Sequence, residues 1–144
     1  VAPVLKRGQM TRSVYLPEGL WRPFNAGAAL AGGKLHQVSF GLADVPAFAR
    51  DVAIVPRAAA MQSTNDYALS PITLMCYGAD GQGTFFEDDA RSVDNQSGSF
   101  NKWRLEVKTG EFDARPAHLG YNAPSRLFAL NCSGKSRPVT LPRT

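Results

Sequence analysis

His36 and His118 are the only imidazoles in the chain, so any hydroxyl or thiol nucleophile would have to draw its base from one of them. Activation also requires an acid to orient that base. No serine lies in a G-x-S-x-G elbow, and neither Cys76 nor Cys132 carries a local signature of a catalytic thiol. His36 falls inside an alternating segment with no acid in register, which reads as a strand histidine with a local partner or water. The two cysteines lack metal-ligand spacing and are too few for a disulfide-built scaffold. They are read either as buried thiols or, in an oxidising compartment, as one disulfide.

Glu87, Asp88 and Asp89, followed by Asp94 and Asn95, form an acid-rich stretch, but the D-x-[DN]-x-[DN]-G calcium loop is absent. Residues two apart on a strand share a face, which would put Glu87 and Asp89 roughly 6–7 Å apart. Carboxyl pairs that cleave a glycosidic bond stand about 5–5.5 Å or about 6.5–9.5 Å apart, yet flank the bond from opposite sides. Neighbours on one strand approach from the same side, so the pair is not read as catalytic. Gly78–Gly83 is glycine-rich but has no lysine and leads into a strand, so it is not a phosphate loop. No catalytic residue, metal site or cofactor is therefore expected. Trp103 shares a face with Leu105 and Val107 and reads as core. Trp21 is the weak candidate for stacking on a sugar ring.

The elements that hold these residues are short. Ten prolines and thirteen glycines cut the 144 residues, of which 44% are hydrophobic, enough for a packed core. Strand patterns cover Ser13–Leu16, Leu20–Trp21, Leu35–Phe40, Ala47–Arg50, Val52–Val55, Ile72–Tyr77, Thr84–Phe86, Trp103–Lys108 and Leu127–Leu130. Asp80-Gly81 predicts a hairpin joining Ile72–Tyr77 to Thr84–Phe86. Ala26–Ala31 is too short and weakly capped for a helix. About nine short strands with frequent turns predict an all-β chain of sandwich type. The polar run Gln62–Asp66 is the best boundary. Net charge is +4, but the arginines are scattered singly and only Lys135–Arg143 is basic without acid, which argues against a nucleic-acid partner. No apolar run approaches the roughly 18 residues of a membrane span, so no membrane partner is expected. Opening on Val1 suggests a processed or cut-out chain.

Taken together, these segments resemble the C-terminal region of glycoside hydrolase family 31, the α-glucosidase and α-xylosidase family. The first block runs from Val1-Ala-Pro-Val4 through Arg12-Ser-Val-Tyr15-Leu-Pro17-Glu-Gly19, Trp21, Phe24, Gly27 and Gly32-Gly33. It continues through Val45-Pro46, Phe48 and Arg50 to Ile54-Val-Pro56. The second block is Leu74, Tyr77, Asp80-Gly81 and Phe85-Phe-Glu87-Asp88-Asp89, similar to the family's F-x-L-Y-E-D-D-G. Val52 and Ala90 stand where that pattern has glycine; the β-branched Val52 predicts a negative φ or a rebuilt turn there.

The resemblance implies two small antiparallel β-sandwich domains in tandem, residues 1–57 and 58–144. Tyr15, Pro17, Gly19, Trp21, Pro46, Arg50, Glu87, Asp88 and Asp89 then serve as structural signatures. It also implies that catalysis, a retaining hydrolysis of an α-linked sugar, belongs to an upstream (β/α)-barrel of the same parent chain. This chain alone would be non-catalytic and would pack on that barrel. The alternative is a free-standing carbohydrate-binding or interaction module that meets an α-linked glycan through Trp21.

Overall fold

The computed structural model describes residues 1–25, 27–41, 43–63, 66–67 and 70–143. Part of the predicted boundary run, Thr64 and Asn65, and Ala26 lie outside the described residues. The chain is all-β: strands and turns, with a short 3-10 turn at Asp94–Ser97 and no α-helix among the described residues. Among the described residues no helix is long and apolar enough to cross a membrane. It divides into two compact units, Val1–Asp51 and Val52–Thr144.

The first unit holds a two-stranded antiparallel sheet, β1 (Thr11–Leu16) with β4 (Lys34–Ser39). Its second sheet has three strands in the order β3 (Leu30–Ala31), β2 (Leu20–Pro23), β5 (Phe48–Arg50). The turn between β1 and β2 is built on close backbone approach. Gly32 donates to the Gly19 carbonyl at 2.7 Å, and a Cβ on Gly32 would sit 1.7 Å from the Pro17 carbonyl oxygen. Few apolar side chains are buried here: Ala2, Leu16, Phe40 and Ala49.

The second unit is one seven-stranded sheet. Its strands are β6 (Ala53–Ala58), β7 (Ile72–Tyr77), β8 (Gly81–Glu87), β9 (Asn101–Lys108), β10 (Glu111–Leu119), β11 (Phe128–Cys132) and β12 (Lys135–Val139), in the order β10-β9-β8-β6-β7-β11-β12. Most pairings are antiparallel; β6–β8 and β7–β11 are parallel. The sheet curls on itself. Phe85 of β8 meets Phe128 of β11 edge-to-face at 5.3 Å, although β6 and β7 lie between their strands. The Arg137 guanidinium of edge strand β12 donates to the Gly110 carbonyl in the β9–β10 turn at 2.6 Å. Trp103, Phe85, Ile72, Leu74, Leu105 and Val107 fill the interior. Each of these comes from the inward set of an alternating strand, as the period of two requires.

Three expectations are corrected. Asp80-Gly81 does not close a hairpin between β7 and β8, because β6 lies between them. Glycine makes that insertion possible: a Cβ on Gly83 would lie 2.4 Å from the Ile54 carbonyl oxygen, and one on Gly81 would lie 2.8 Å from the Ile54 side chain. The expected joint at residue 57 falls inside β6, whose ladder partners all belong to the second unit. Val52 takes a positive φ of 64° rather than the expected negative one, and Ala90 is likewise positive at 55°. Val52 is fixed there by its N–H donating to Tyr77 and its carbonyl accepting from Gln82.

A left-handed conformation costs an L-residue about 1–2 kcal/mol, partly offset by the entropy a glycine loses on folding. Val52→Gly should therefore raise unfolding free energy by about 1 kcal/mol. Gly83→Ala should lower it by at least about 2 kcal/mol, because the intruding methyl meets backbone. Urea denaturation of the two variants beside the parent sequence checks both.

Candidate functional site

The signature residues fall into two structural groups, one in each unit. In the first, Trp21 of β2 pairs with Arg50 of β5 and Leu30 of β3. The Trp21 indole N–H donates to the Pro17 carbonyl at 2.8 Å, and the Arg50 guanidinium lies over its ring, 6.0 Å from the centroid. Arg50 also donates to the Glu18 carbonyl at 3.1 Å. Gly19 takes φ 119°, a conformation that L side chains rarely adopt, beside that guanidinium. Pro46 accepts from the Ala2 N–H at 2.8 Å, which ties the N-terminal segment down. These residues form a brace around the β1–β2 turn. Trp21 is half-buried with one face under Arg50, so it presents at most one face as a stacking platform. Tyr15 is the exception, 58% exposed with its phenol ring outward.

In the second group, strand alternation ends at Glu87 and splits the three carboxylates. Glu87 lies two residues beyond Phe85 on the inward face of β8 and is 2% exposed. Arg126, itself buried, stands 3.7 Å from one carboxylate oxygen of Glu87, and Arg143 stands 3.6 Å from the other. Asn101, its register partner on β9, is also buried. Its side chain accepts from the Gly120 and Tyr121 N–H groups and donates to the Tyr121 carbonyl at 2.7 Å. The Arg126 guanidinium also lies over Tyr67 at 4.5 Å and donates to its carbonyl.

Asp88 and Asp89 are past the strand end and serve as turn caps. Asp88 accepts from the Ala90 N–H at 2.9 Å and from the Asn95 side chain at 2.8 Å. Asp89 accepts from the N–H groups of Arg91 and Ser92, each at 3.1 Å. Glu87 and Asp89 thus do not share a face. One is a buried counter-ion and the other an exposed cap.

The remaining candidates have local partners. His36 bonds the Ala31 carbonyl at 2.8 Å, and His118 bonds the Gly98 carbonyl at 2.8 Å while stacking on Phe100. Among the described residues no three His, Cys, Asp or Glu side chains converge as metal ligands would. Sequence reasoning missed Arg126, Arg143 and Asn101. They come from distant, unpatterned segments, and only the buried position of Glu87 gives them a purpose. A glutamate closing an alternating inward set after Phe85 was the available signal.

Comparison with known proteins follows the same outline. The glycosyl hydrolase family 31 C-terminal domain model matches residues 1–55. The 1,6-α-glucosyltransferase of Sporosarcina globispora is 27% identical over 134 residues, 90% of this chain and 10% of the relative. Among solved structures, a Flavobacterium johnsoniae family 31 dextranase complexed with glucose superposes with a TM-score of 0.75 at 28% identity. That match covers 90% of this chain and 17% of the dextranase. A family 31 α-xylosidase of Xanthomonas citri gives 0.73 at 28% identity, over 90% of this chain and 15% of its own.

Residues 1–55 thus match the family 31 C-terminal domain, and about nine-tenths of the chain is similar to parts of family 31 enzymes. The chain spans about a tenth of the length of the curated relatives it matches. The family 31 domain match stops at residue 55, inside β6, whereas the structural likeness runs on through the seven-stranded sheet.

Two predictions concern these carboxylates. Glu87→Gln keeps the side-chain shape but leaves Arg126 buried without its counter-ion. It should cost about 3 kcal/mol of unfolding free energy in urea denaturation. The Asp89 carboxyl is held below its ordinary 3.8, first by the Arg91 N–H and then by that of Ser92. With a depressed folded value, its contribution is complete above the unfolded value and is lost as pH falls through the folded one. NMR titration should find Asp89 still ionised below pH 3.8, and Asp89→Asn should flatten that part of the acid limb.

Proposed function

We propose that this chain is the non-catalytic β-region of a retaining α-glycosidase and that its first unit packs on and stabilises a (β/α)-barrel elsewhere in the parent enzyme. The observation that carries the reading is the thin core of Val1–Asp51. A unit of roughly 50 residues buries a modest share of its surface even when well packed, and among its described residues the buried apolar ones are Ala2, Leu16, Phe40 and Ala49. Meanwhile Leu5, Met10, Tyr15, Leu35 and Val45 stand more than half exposed. Tyr15 and Leu35 are register partners on one face of the β1–β4 ladder, a paired apolar surface with nothing of its own unit over it. A groove of about 420 Å³ in the same unit is walled by Phe24, Leu30, Val38, Phe40, Val45 and Phe48. Such surface in a small unit marks a protein-facing side.

In this reading the reaction, hydrolysis of an α-linked sugar through two barrel carboxylates, takes place outside the chain. The residues here act by holding shape: Trp21 and Arg50 brace the proximal unit, and Glu87 with Arg126 anchors the distal one. An α-linked glycan is the parent enzyme's substrate. The Trp21 ring, occupied on one face by Arg50, plays no direct part in binding it.

The test has two arms. In the isolated chain, Tyr15→Glu with Leu35→Glu should change unfolding free energy by less than about 0.5 kcal/mol, since both residues are exposed. In the full-length gene product the same pair should shorten the half-life of aryl α-glucosidase activity on heating by at least about tenfold, as expected when two charges enter a closed interface. An unaffected full-length enzyme, a native product no longer than this chain, or aryl α-glucoside turnover by the purified chain would each overturn the proposal.

A further inference from the structure

Cys76 and Cys132 are 56 positions apart in sequence, yet they are direct register partners in the parallel β7–β11 ladder. Partners in a parallel ladder project to the same face, and here that face is the core. Ile72, Leu74 and Cys76 alternate inward on β7, as Phe128 and Leu130 do on β11, and Cys132 packs on the edge of the same cluster. Neighbouring strands lie about 4.8 Å apart, within the roughly 4.4–6.8 Å between Cα atoms that a disulfide spans.

The two positions differ in access. Cys76 is buried, whereas Cys132 is partly exposed, at the last residue of β11 before the Ser133-Gly134 turn. In the thiol form, Cys76 Sγ lies 3.5 Å from the Gly78 carbonyl and 3.7 Å from that of Asp80. Gly81 leaves the sulfur its space, since a Cβ there would lie 2.9 Å from it.

We propose that Cys76 and Cys132 form an oxidisable dithiol, a modification site whose co-reactant is a low-molecular-weight disulfide such as oxidised glutathione. The more accessible Cys132 thiolate attacks the disulfide, forming a mixed disulfide and expelling one glutathione thiolate. Cys76 turns its sulfur from the Gly78 and Asp80 carbonyls, loses its proton and attacks the Cys132 sulfur. The Cys76–Cys132 bond forms as the second glutathione thiolate leaves. Two protein thiols are oxidised by two electrons, and one glutathione disulfide is reduced to two glutathiones. The bond staples β7 to β11 and closes the intervening chain, which includes β8, β9 and β10, into a covalent loop.

The experiment incubates the folded chain with excess oxidised glutathione, quenches with acid and measures intact mass. The expected product has lost two hydrogens, carries no glutathione, resists alkylation after unfolding and melts at a higher temperature than the reduced chain. Cys76→Ser should stop at a stable single glutathione adduct on Cys132, because the resolving thiol is gone. Cys132→Ser should leave Cys76 unmodified. A wild-type chain that keeps both thiols, or that accumulates an unresolved adduct on Cys132, would overturn the proposal. Because wild type gives the deciding readout, poor folding of either variant does not remove the test.

Discussion

The seven-stranded sheet depends on how closely the backbone of Ile54 approaches Gly83. The Ile54 carbonyl oxygen lies 2.4 Å from where any other residue at 83 would place its Cβ. That approach lets β6 enter between β7 and β8, pairing antiparallel with one and parallel with the other. Without it β7 and β8 would be free to pair with each other as their turn suggests. The inward curl that brings Phe85 onto Phe128 would then lose its centre. The position at Val52 belongs to the same arrangement. Its left-handed backbone delivers one N–H to Tyr77 and one carbonyl to Gln82, so the chain is held on both sides before β6 begins.

The acids and aromatics singled out in the sequence are chemically rich in appearance, yet in the structure their polar atoms go to local packing and turns. Glu87 is turned inward toward Arg126, Asp88 and Asp89 cap a turn, and Trp21 spends its N–H on Pro17. Ions and aromatics of this kind define geometry: a buried carboxylate between two guanidiniums tolerates only one placement of the three segments that supply them. That explains how a motif of three consecutive acids can characterise a region without marking a reaction centre.

Much of the fold was legible in residues that alternate. Trp103, Leu105 and Val107 read as an inward set and are one; Ile72–Tyr77 and Leu127–Leu130 lie within or overlap β7 and β11. The two strands of the seven-stranded sheet that escaped notice, β10 and β12, are its edges; the two-residue β3 of the first unit escaped as well. They carry Pro116 and Pro138 and little apolar pattern, as unpaired edges do. Pro116 sits beside the only register shift of its ladder, and the basic stretch from Lys135 hides β12 within what looks like a tail. Strand order was illegible for a different reason. Asp80-Gly81 is a sound local turn signal, but the choice between a hairpin and an inserted strand rests on a steric contact with a residue far away in sequence. The partners of Glu87 were hidden likewise, since Arg126 and Arg143 lie outside any periodic segment.

Trp103, the largest side chain in the core, donates its indole N–H to the Pro142 carbonyl at 2.8 Å, beside buried Leu141. Arg143 reaches Glu87 and Ala123 from the same short strap. Viewed along the direction of translation, this places the closing contacts in the last-made residues described. While β6 to β10 leave the ribosome, Trp103 has no acceptor from that strap, Glu87 lacks both of its cations, and β7 presents an open ladder to whatever passes. The distal sheet is thus a unit that must wait for its final strands, and the interval before they arrive is when a chaperone would have the most to hold.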